Sequence, residues 1–436
     1  MTIVRVGVGD GYDVVIDRNI DCGGLIKKYT DKTDKNCGEN CAAARGNDTE
    51  KTDFFKDENN FVKTGKIAII SDDAVFGLYG KAVKASLERA GFRAAAYVFP
   101  RGEASKSGGQ YLKILEFLAA ERLARSDAVL ALGGGVTGDM AGFAAATYLR
   151  GISYFQMPTT LLAAVDSSVG GKTGINLSAG KNLAGAFYQP KAVLCDTEFL
   201  KTLSDDLIAD GLGEIVKHAV LDGGELLMEL ENGGAEICEK TDENREDKRG
   251  NYEEKTEVSA DEKDMDKTDK NLSEDYAGET ARTGRSDAYA FVLNSAEKII
   301  ALSVKIKAAI VEKDEKEKNL RKFLNLGHTV GHAVEKLSDY KIHHGKCVAI
   351  GLAFIADLSR KRGRLNAASH GRILRLLRKY RLETDCPYEA SDMVDLMLSD
   401  KKLGGGALSV VMIRDIGDCF IDEVGINGIE AFFSGR

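Results

Sequence analysis

The chain has 436 residues, 43% apolar and 29% charged, which is ample for a sizeable core and too long for one ordinary domain. No apolar run approaches the about 20 residues of a membrane-crossing helix, and Met1–Asp17 alternates like a strand with no basic-then-apolar leader, so a cytoplasmic location is expected. The net charge of −8 is concentrated: residues 239–287 hold 17 acidic and 10 basic side chains and residues 30–64 hold 8 and 6, leaving the rest near neutral and giving no sign of a nucleic-acid partner.

The first 202 residues alternate strand-like and helical runs. A strand is expected at Lys66–Ser71, a helix at about Phe76–Ala90, a strand at Ala94–Phe99 and a helix at about Lys106–Glu121. A buried strand follows at Ala128–Leu132, then a helix from about Gly138 and a strand at Ile152–Gln156. This order predicts a parallel sheet with helices on its faces. From 203 to 436 the period becomes helical, with stretches at Leu207–Val220, Tyr289–Lys313, Arg321–Leu337, Cys347–Lys361 and His370–Arg381. Residues 30–64 and 239–287 are polar and poor in large apolar residues, and read as flexible surface insertions. The eight cysteines form no Cys-x-x-Cys pair and read as reduced thiols; Cys37 and Cys41 are weak metal candidates.

Ala128–Leu132 runs into Gly133-Gly-Gly-Val-Thr-Gly138-Asp139, a Gly-x-Gly-x-x-Gly between strand and helix. Such glycines let a backbone approach a pyrophosphate at a helix N-terminus, although the acidic residue usual about 20 positions later is missing. Pro100–Lys106 and Thr159-Thr160 also follow strands. A second glycine-rich stretch, Val165–Asn176 with Gly180-Lys181-Asn182, suits a phosphorylated ligand, or is a surface hairpin with ordinary lysines.

Only six histidines occur, and they cluster. Glu214, Lys217 and His218 share a helix face, His328 and His332 lie one turn apart, and His343-His344 precede Gly345. Two imidazoles and a carboxylate suit a divalent cation with an open position, but spacing does not choose three ligands from Glu214, His218, His328, His332, His343 and His344. Arg321, Asn325 and His328 recur at helical spacing, and an Arg there could grip a carboxylate or form a surface ion pair.

Taken together, these strings resemble the 3-dehydroquinate synthase family of sugar-phosphate cyclases. The match runs through Arg101–Lys106, Leu132–Asp139, Pro158–Thr160, Val165–Gly174, Gly180–Pro190, Gly211–Lys217, Leu320–His332 and Asp400–Lys402, nearly everything outside the insertions. The resemblance implies a Rossmann-like NAD-binding α/β domain (1–202), a mostly α-helical metal domain (203–436) and an active site between them. It implies that Glu214, His328 and His344 bind zinc or cobalt, with His218 structural. NAD would touch Asp72, Gly102, Glu103, Ala104, Ser105, Lys106, Gly135, Val136, Thr137, Gly138, Asp139, Thr159, Thr160, Lys172, Lys181, Phe199, Leu200, Lys201 and Thr202. A phosphorylated sugar acid would meet Asp166, Lys172, Asn182, Lys217, Lys307, Arg321, Asn325, His332 and one of Lys401 or Lys402. Among these, Lys172, Lys217, Lys307, Arg321, Asn325 and His332 would carry the chemistry. Arg150 would reach a phosphate in the second copy of a homodimer.

The implied reaction converts 3-deoxy-D-arabino-heptulosonate 7-phosphate to 3-dehydroquinate and phosphate. A hydroxyl is oxidised transiently by NAD, phosphate leaves, the hydride returns, and an aldol step closes the ring. The alternatives are another sugar-phosphate cyclase or a metal-dependent polyol or glycerol-phosphate dehydrogenase. Lys346 departs from the family, which usually has Glu there, and places a positive charge two residues from His344.

Overall fold

The computed structural model describes residues 1–31, 65–233, 286–401 and 407–434. Most of both proposed insertions, Cys37, Cys41 and Lys402 lie outside the described residues.

Seven strands form the main sheet: β1 (Thr2–Val6), β2 (Tyr12–Asp17), β3 (Lys66–Asp72), β4 (Arg93–Phe99), β5 (Ala128–Gly133), β6 (Ser153–Pro158) and β9 (Ala192–Asp196), in the order β1-β2-β9-β6-β5-β3-β4. Only β1 pairs antiparallel, at one edge. The interior strands are continuous apolar runs because helices cover both faces. The period of two sorts them: Ala68, Ile70, Val129 and Ala131 pack with Ile114, Leu118, Met140 and Ala144 on one face. Ile67, Ile69, Leu130 and Leu132 pack with Ile26, Val83 and Leu87 on the other. Two hairpins stand apart from this sheet: β7 (Lys172–Leu177) with β8 (Gly180–Phe187), and β10 (Ala407–Asp415) with β11 (Asp418–Gly425).

After Thr202 the chain is mainly helical, with helices at Asp205–Asp222, Glu225–Asn232, Asp287–Asn294, Ala296–Lys313, His328–Leu337, His344–Lys361, Ala367–Lys379 and Ala390–Lys401. Val14, Ile16, Val193 and Cys195 of the sheet share one apolar cluster with Ile215, Val216, Ile299, Ile300 and Val304 of these helices. The sheet's β1–β2–β9 side is thereby fused to the helical part. No helix among the described residues is long and apolar enough to cross a membrane.

Several expected elements differ in detail. The helix expected from Gly138 begins at Gly135, directly after the strand. The stretch Tyr289–Lys313 breaks at Ser295 into two helices. Arg321–Leu337 is not one helix: a 3-10 turn covers Leu320–Asn325, Gly327 turns left-handed at φ 79°, and the α-helix starts at His328. Arg321, Asn325 and His328 therefore do not share a helical face. The cause is close packing: a Cβ on Gly327 would stand 2.7 Å from the Val348 carbonyl oxygen. The C-terminal β10–β11 hairpin was not expected in a part read as helical.

The helices Asp205–Asp222 and His344–Lys361 cross backbone to backbone. A Cβ on Gly213 would lie 1.8 Å from the Gly345 carbonyl oxygen, and one on Gly345 would lie 1.8 Å from the Asp210 carbonyl oxygen. We expect Gly213→Ala to lower stability by about 1–3 kcal/mol or more, because neither backbone can give way. A urea midpoint equal to wild type would contradict this packing.

Candidate functional site

In a parallel sheet every strand delivers its carboxyl end to one edge, and a cleft opens there where successive connections leave in opposite directions. Here that point lies between β3 and β5, since the chain passes from β3 outward to β4 and returns to β5 on the opposite side. Asp72, Gly102–Lys106, Gly135–Asp139, Thr159, Thr160 and Phe199–Thr202 all follow strand ends along this edge. The Gly135–Thr147 helix has Gly134 as N-cap and, among the described residues, no side chain caps it, which leaves its first amides to an anion. Among the described residues, Thr159 Oγ1 is buried with no hydrogen-bond partner, and Gly102 sits at φ 103° with no neighbour within 4 Å of where a Cβ would stand. Open backbone, uncapped amides and an orphaned hydroxyl fit a dinucleotide. Asp72 caps the following turn by accepting from Val75 N at 2.9 Å. Phe199 stacks on Tyr79 with centroids 4.2 Å apart. Lys201 pairs with Glu198 at 2.7 Å.

Next to this edge, Glu214 is wholly buried on the Asp205–Asp222 helix. Lys217, 1% exposed, forms an ion pair with Glu214 Oε2, yet neither carboxylate oxygen receives a hydrogen bond among the described residues. Nε2 of His328 stands 3.4 Å and Nε2 of His344 3.5 Å from Glu214 Oε1. Burial pushes the Glu214 carboxyl up, but Lys217 and the two imidazoles hold it well below the usual range. An ionised carboxylate with two imidazole nitrogens is a donor set for Zn²⁺ or Co²⁺. The potential ligand atoms of His328, His332 and His344 also lie within 4.8 Å of one another, so His332 closes the same pocket. His218 Nδ1 bonds Ser303 Oγ at 2.7 Å and burial pushes its pKa down to about 3, while its Nε2, without a hydrogen-bond partner among the described residues, belongs to a second cluster in which Asp166, Glu214 and His218 bring potential ligand atoms within 4.8 Å of one another.

Why His344 sits here follows from the helix start. Asp210, one turn before Glu214, accepts from Gly345 N at 2.6 Å and so caps the next helix across the crossing. Asp206 takes His343 Nε2 at 2.8 Å and Lys346 Nζ at 2.6 Å. The unusual Lys346 is therefore engaged by Asp206 and clasps the same crossing.

The remaining expected residues fall into small groups. Lys307 Nζ donates to Asp166 Oδ1 at 2.7 Å and to its carbonyl oxygen at 2.6 Å. Burial raises the Asp166 carboxyl, but Lys307 with Lys217 holds it low. Lys106, 6% exposed, bridges Asp139 Oδ2 and Asn182 Oδ1, each at 2.5 Å, tying the glycine loop to the β7–β8 hairpin. Arg321 is buried, with its guanidinium on the carbonyls of Gly170 (3.1 Å) and Glu315 (2.5 Å). Glu317 collects Lys172 and, at 2.7 Å, Asn325 Nδ2. Sequence reasoning missed Glu317, which sits in the charged run 312–318; its one signal is a carboxylate four residues before Arg321. It also missed Glu335, on the His328–Leu337 helix, and Asp210. Arg150 is exposed on a turn at φ 67°. Lys401 ends the Ala390–Lys401 helix.

Residues 96–210 match the model of the 3-dehydroquinate synthase N-terminal domain and 277–403 that of the C-terminal domain. The 3-dehydroquinate synthase of Lactococcus lactis subsp. cremoris (strain MG1363) is 38% identical over 83% of this chain and 88% of its own. In fold, the chain is similar to a 2-deoxy-scyllo-inosose synthase complexed with carbaglucose-6-phosphate, NAD+ and Co2+ (TM-score 0.72, 19% identity, 99% of both chains). It is also similar to 2-epi-5-epi-valiolone synthase from Streptomyces hygroscopicus subsp. jinggangensis 5008 with NAD+ and Zn2+ bound (TM-score 0.67, 23% identity, 89% of this chain and 98% of that one).

Asp210→Ala should leave Gly345 N unpaired at the crossing and cost about 1–3 kcal/mol, with weaker zinc retention on dialysis. Unchanged stability together with unchanged zinc content would contradict the capping role.

Proposed function

The chain belongs to the 3-dehydroquinate synthase family, and we propose that its cleft turns 3-deoxy-D-arabino-heptulosonate 7-phosphate into 3-dehydroquinate and phosphate. The carrying observation is the buried Glu214 carboxylate, paired with Lys217 and faced by His328 and His344 beside an open glycine-rich strand edge. Glu214, His328 and His344 are the metal ligands. The strand-edge loops, Lys172 and Lys181 receive NAD+. When bound, NAD+ accepts and returns a hydride while a divalent cation polarises the carbinol oxygen.

The chain's own residues do the rest. Lys172, Lys217 and Asn182 hold the phosphate, so that its oxygens stay near the carbon losing a proton. Arg321, helped by Lys307, meets the carboxylate; its Nε–H and one Nη2–H have no partner among the described residues. Asp166, Asn325, His332 and a lysine at 401 or 402 fix the hydroxyls. Holding both ends of the sugar raises the effective concentration of its reacting groups, which supports several steps in one pocket. Two copies form a cytoplasmic dimer, with Arg150 directed to the neighbouring pocket.

Purified protein with NAD+ and Zn²⁺ should release phosphate from this substrate without net NADH. Sedoheptulose 7-phosphate and glucose 6-phosphate, which lack a carboxylate, should release none. Steady NADH formation would instead indicate a dehydrogenase, and no phosphate release would overturn the assignment. Glu214→Gln should lower turnover by more than about 100-fold, beyond what loss of an outer-shell partner costs, and should lower bound zinc with it. Full activity at unchanged zinc content would remove Glu214 from the ligand set.

A further inference from the structure

Glu335 lies on the His328–Leu337 helix and is 9% exposed. Its two oxygens face different partners. Oε2 stands 3.3 Å from His344 Nδ1, and Oε1 accepts from Lys181 Nζ at 2.8 Å. The other nitrogen of His344, Nε2, faces Glu214 at 3.5 Å. One imidazole is thus held between two carboxylates, one at each nitrogen. An outer carboxylate in this position fixes the tautomer and ring plane of a ligating histidine and raises its basicity.

Lys181 connects this array to the other side of the cleft. It rises from β8, lies 3.8 Å from the centre of the Tyr340 ring and 3.9 Å from Glu103 Oε1 in the Gly102–Lys106 loop. Its side chain is 27% exposed, against 12% for the Glu335 side chain. Its long flexible stem, already 3.9 Å from Glu103 at the loop, lets it turn toward a new anion there.

We propose that Glu335 is a positioning residue that couples dinucleotide binding to metal binding through Lys181 and His344. This rests on the two sites assigned above. Without a dinucleotide, Lys181 draws on the charge of Glu335. A pyrophosphate on the Gly102–Lys106 loop offers Lys181 a second anion. As Lys181 shifts to it, the carboxylate is left to His344 Nδ1, and His344 becomes a better donor through Nε2. The metal then binds more tightly and, by linkage, the metal tightens the dinucleotide by the same factor.

The test measures Zn²⁺ affinity of the full-length, metal-stripped enzyme by competition with a chromophoric chelator, with and without saturating NAD+ and with no sugar present. Wild type should bind zinc at least about fivefold more tightly with NAD+. Glu335→Ala should bind it about 10–100-fold more weakly and show no response to NAD+. Glu335→Gln, which keeps a neutral acceptor, should fall between. Lys181→Met should bind zinc without NAD+ as tightly as wild type does with it, and this variant carries the test if Glu335→Ala does not fold. The response to NAD+ is the readout that a purely structural glutamate would not move. Wild-type zinc affinity in Glu335→Ala, or an undiminished NAD+ response in either variant, would overturn the coupling alone. A wild type that binds zinc and NAD+ without mutual effect would do the same. A wild type that fails to bind zinc or NAD+ would overturn the site assignment beneath it.

Discussion

A carboxylate removed from water without hydrogen-bond donors must find positive charge or lose its own. Glu214 is in that position, and the surrounding architecture serves it. Lys217 on the same helix, one turn on, supplies part of the compensation, and two imidazoles bring their nitrogens to within 3.5 Å. The arrangement is incomplete as a hydrogen-bonded ion pair, since both carboxylate oxygens lack a donor among the described residues. A cation is what such a pocket accommodates.

Bringing these groups together requires three helices to meet more closely than side chains allow. Glycines at 213, 327, 331, 345 and 351 make that approach, each where a Cβ would press on a neighbouring backbone within 3 Å. The carboxylates of Asp206 and Asp210 then lock the start of the helix that carries His344. The strand edge and the metal pocket face each other because the sheet and the helices are built on one apolar cluster. Lys181 spans the gap with its ion pair to Glu335, while Lys106 ties the glycine loop to the β7–β8 hairpin on the sheet side.

Much of this was legible in residue order. β3, β5 and β6 announced themselves as short apolar runs because both of their faces are covered, and glycines after β5 marked the loop. The cluster of Glu214, His328 and His344 followed from family resemblance, since spacing alone left six donors open. What stayed hidden depends on packing. Gly327 sits inside a stretch whose apolar residues keep a helical period, so the period ran on through a position that the Val348 backbone bends into a left-handed turn. Glu317 was masked by a run of charges that resembles a solvated helix end. The meaning of Lys346 rested on a partner, Asp206, 140 residues away in the chain. The C-terminal hairpin was missed because alternation in Ala407–Gly425 is weak where β10 is buried along most of its length.

The cluster that joins Val14, Ile16, Val193 and Cys195 to Ile299 and Val304 has a consequence for how this enzyme can be handled. Severing the polypeptide near residue 202 would bare an oily wall on both fragments. Neither piece would be a ready-made module for fusion or shuffling.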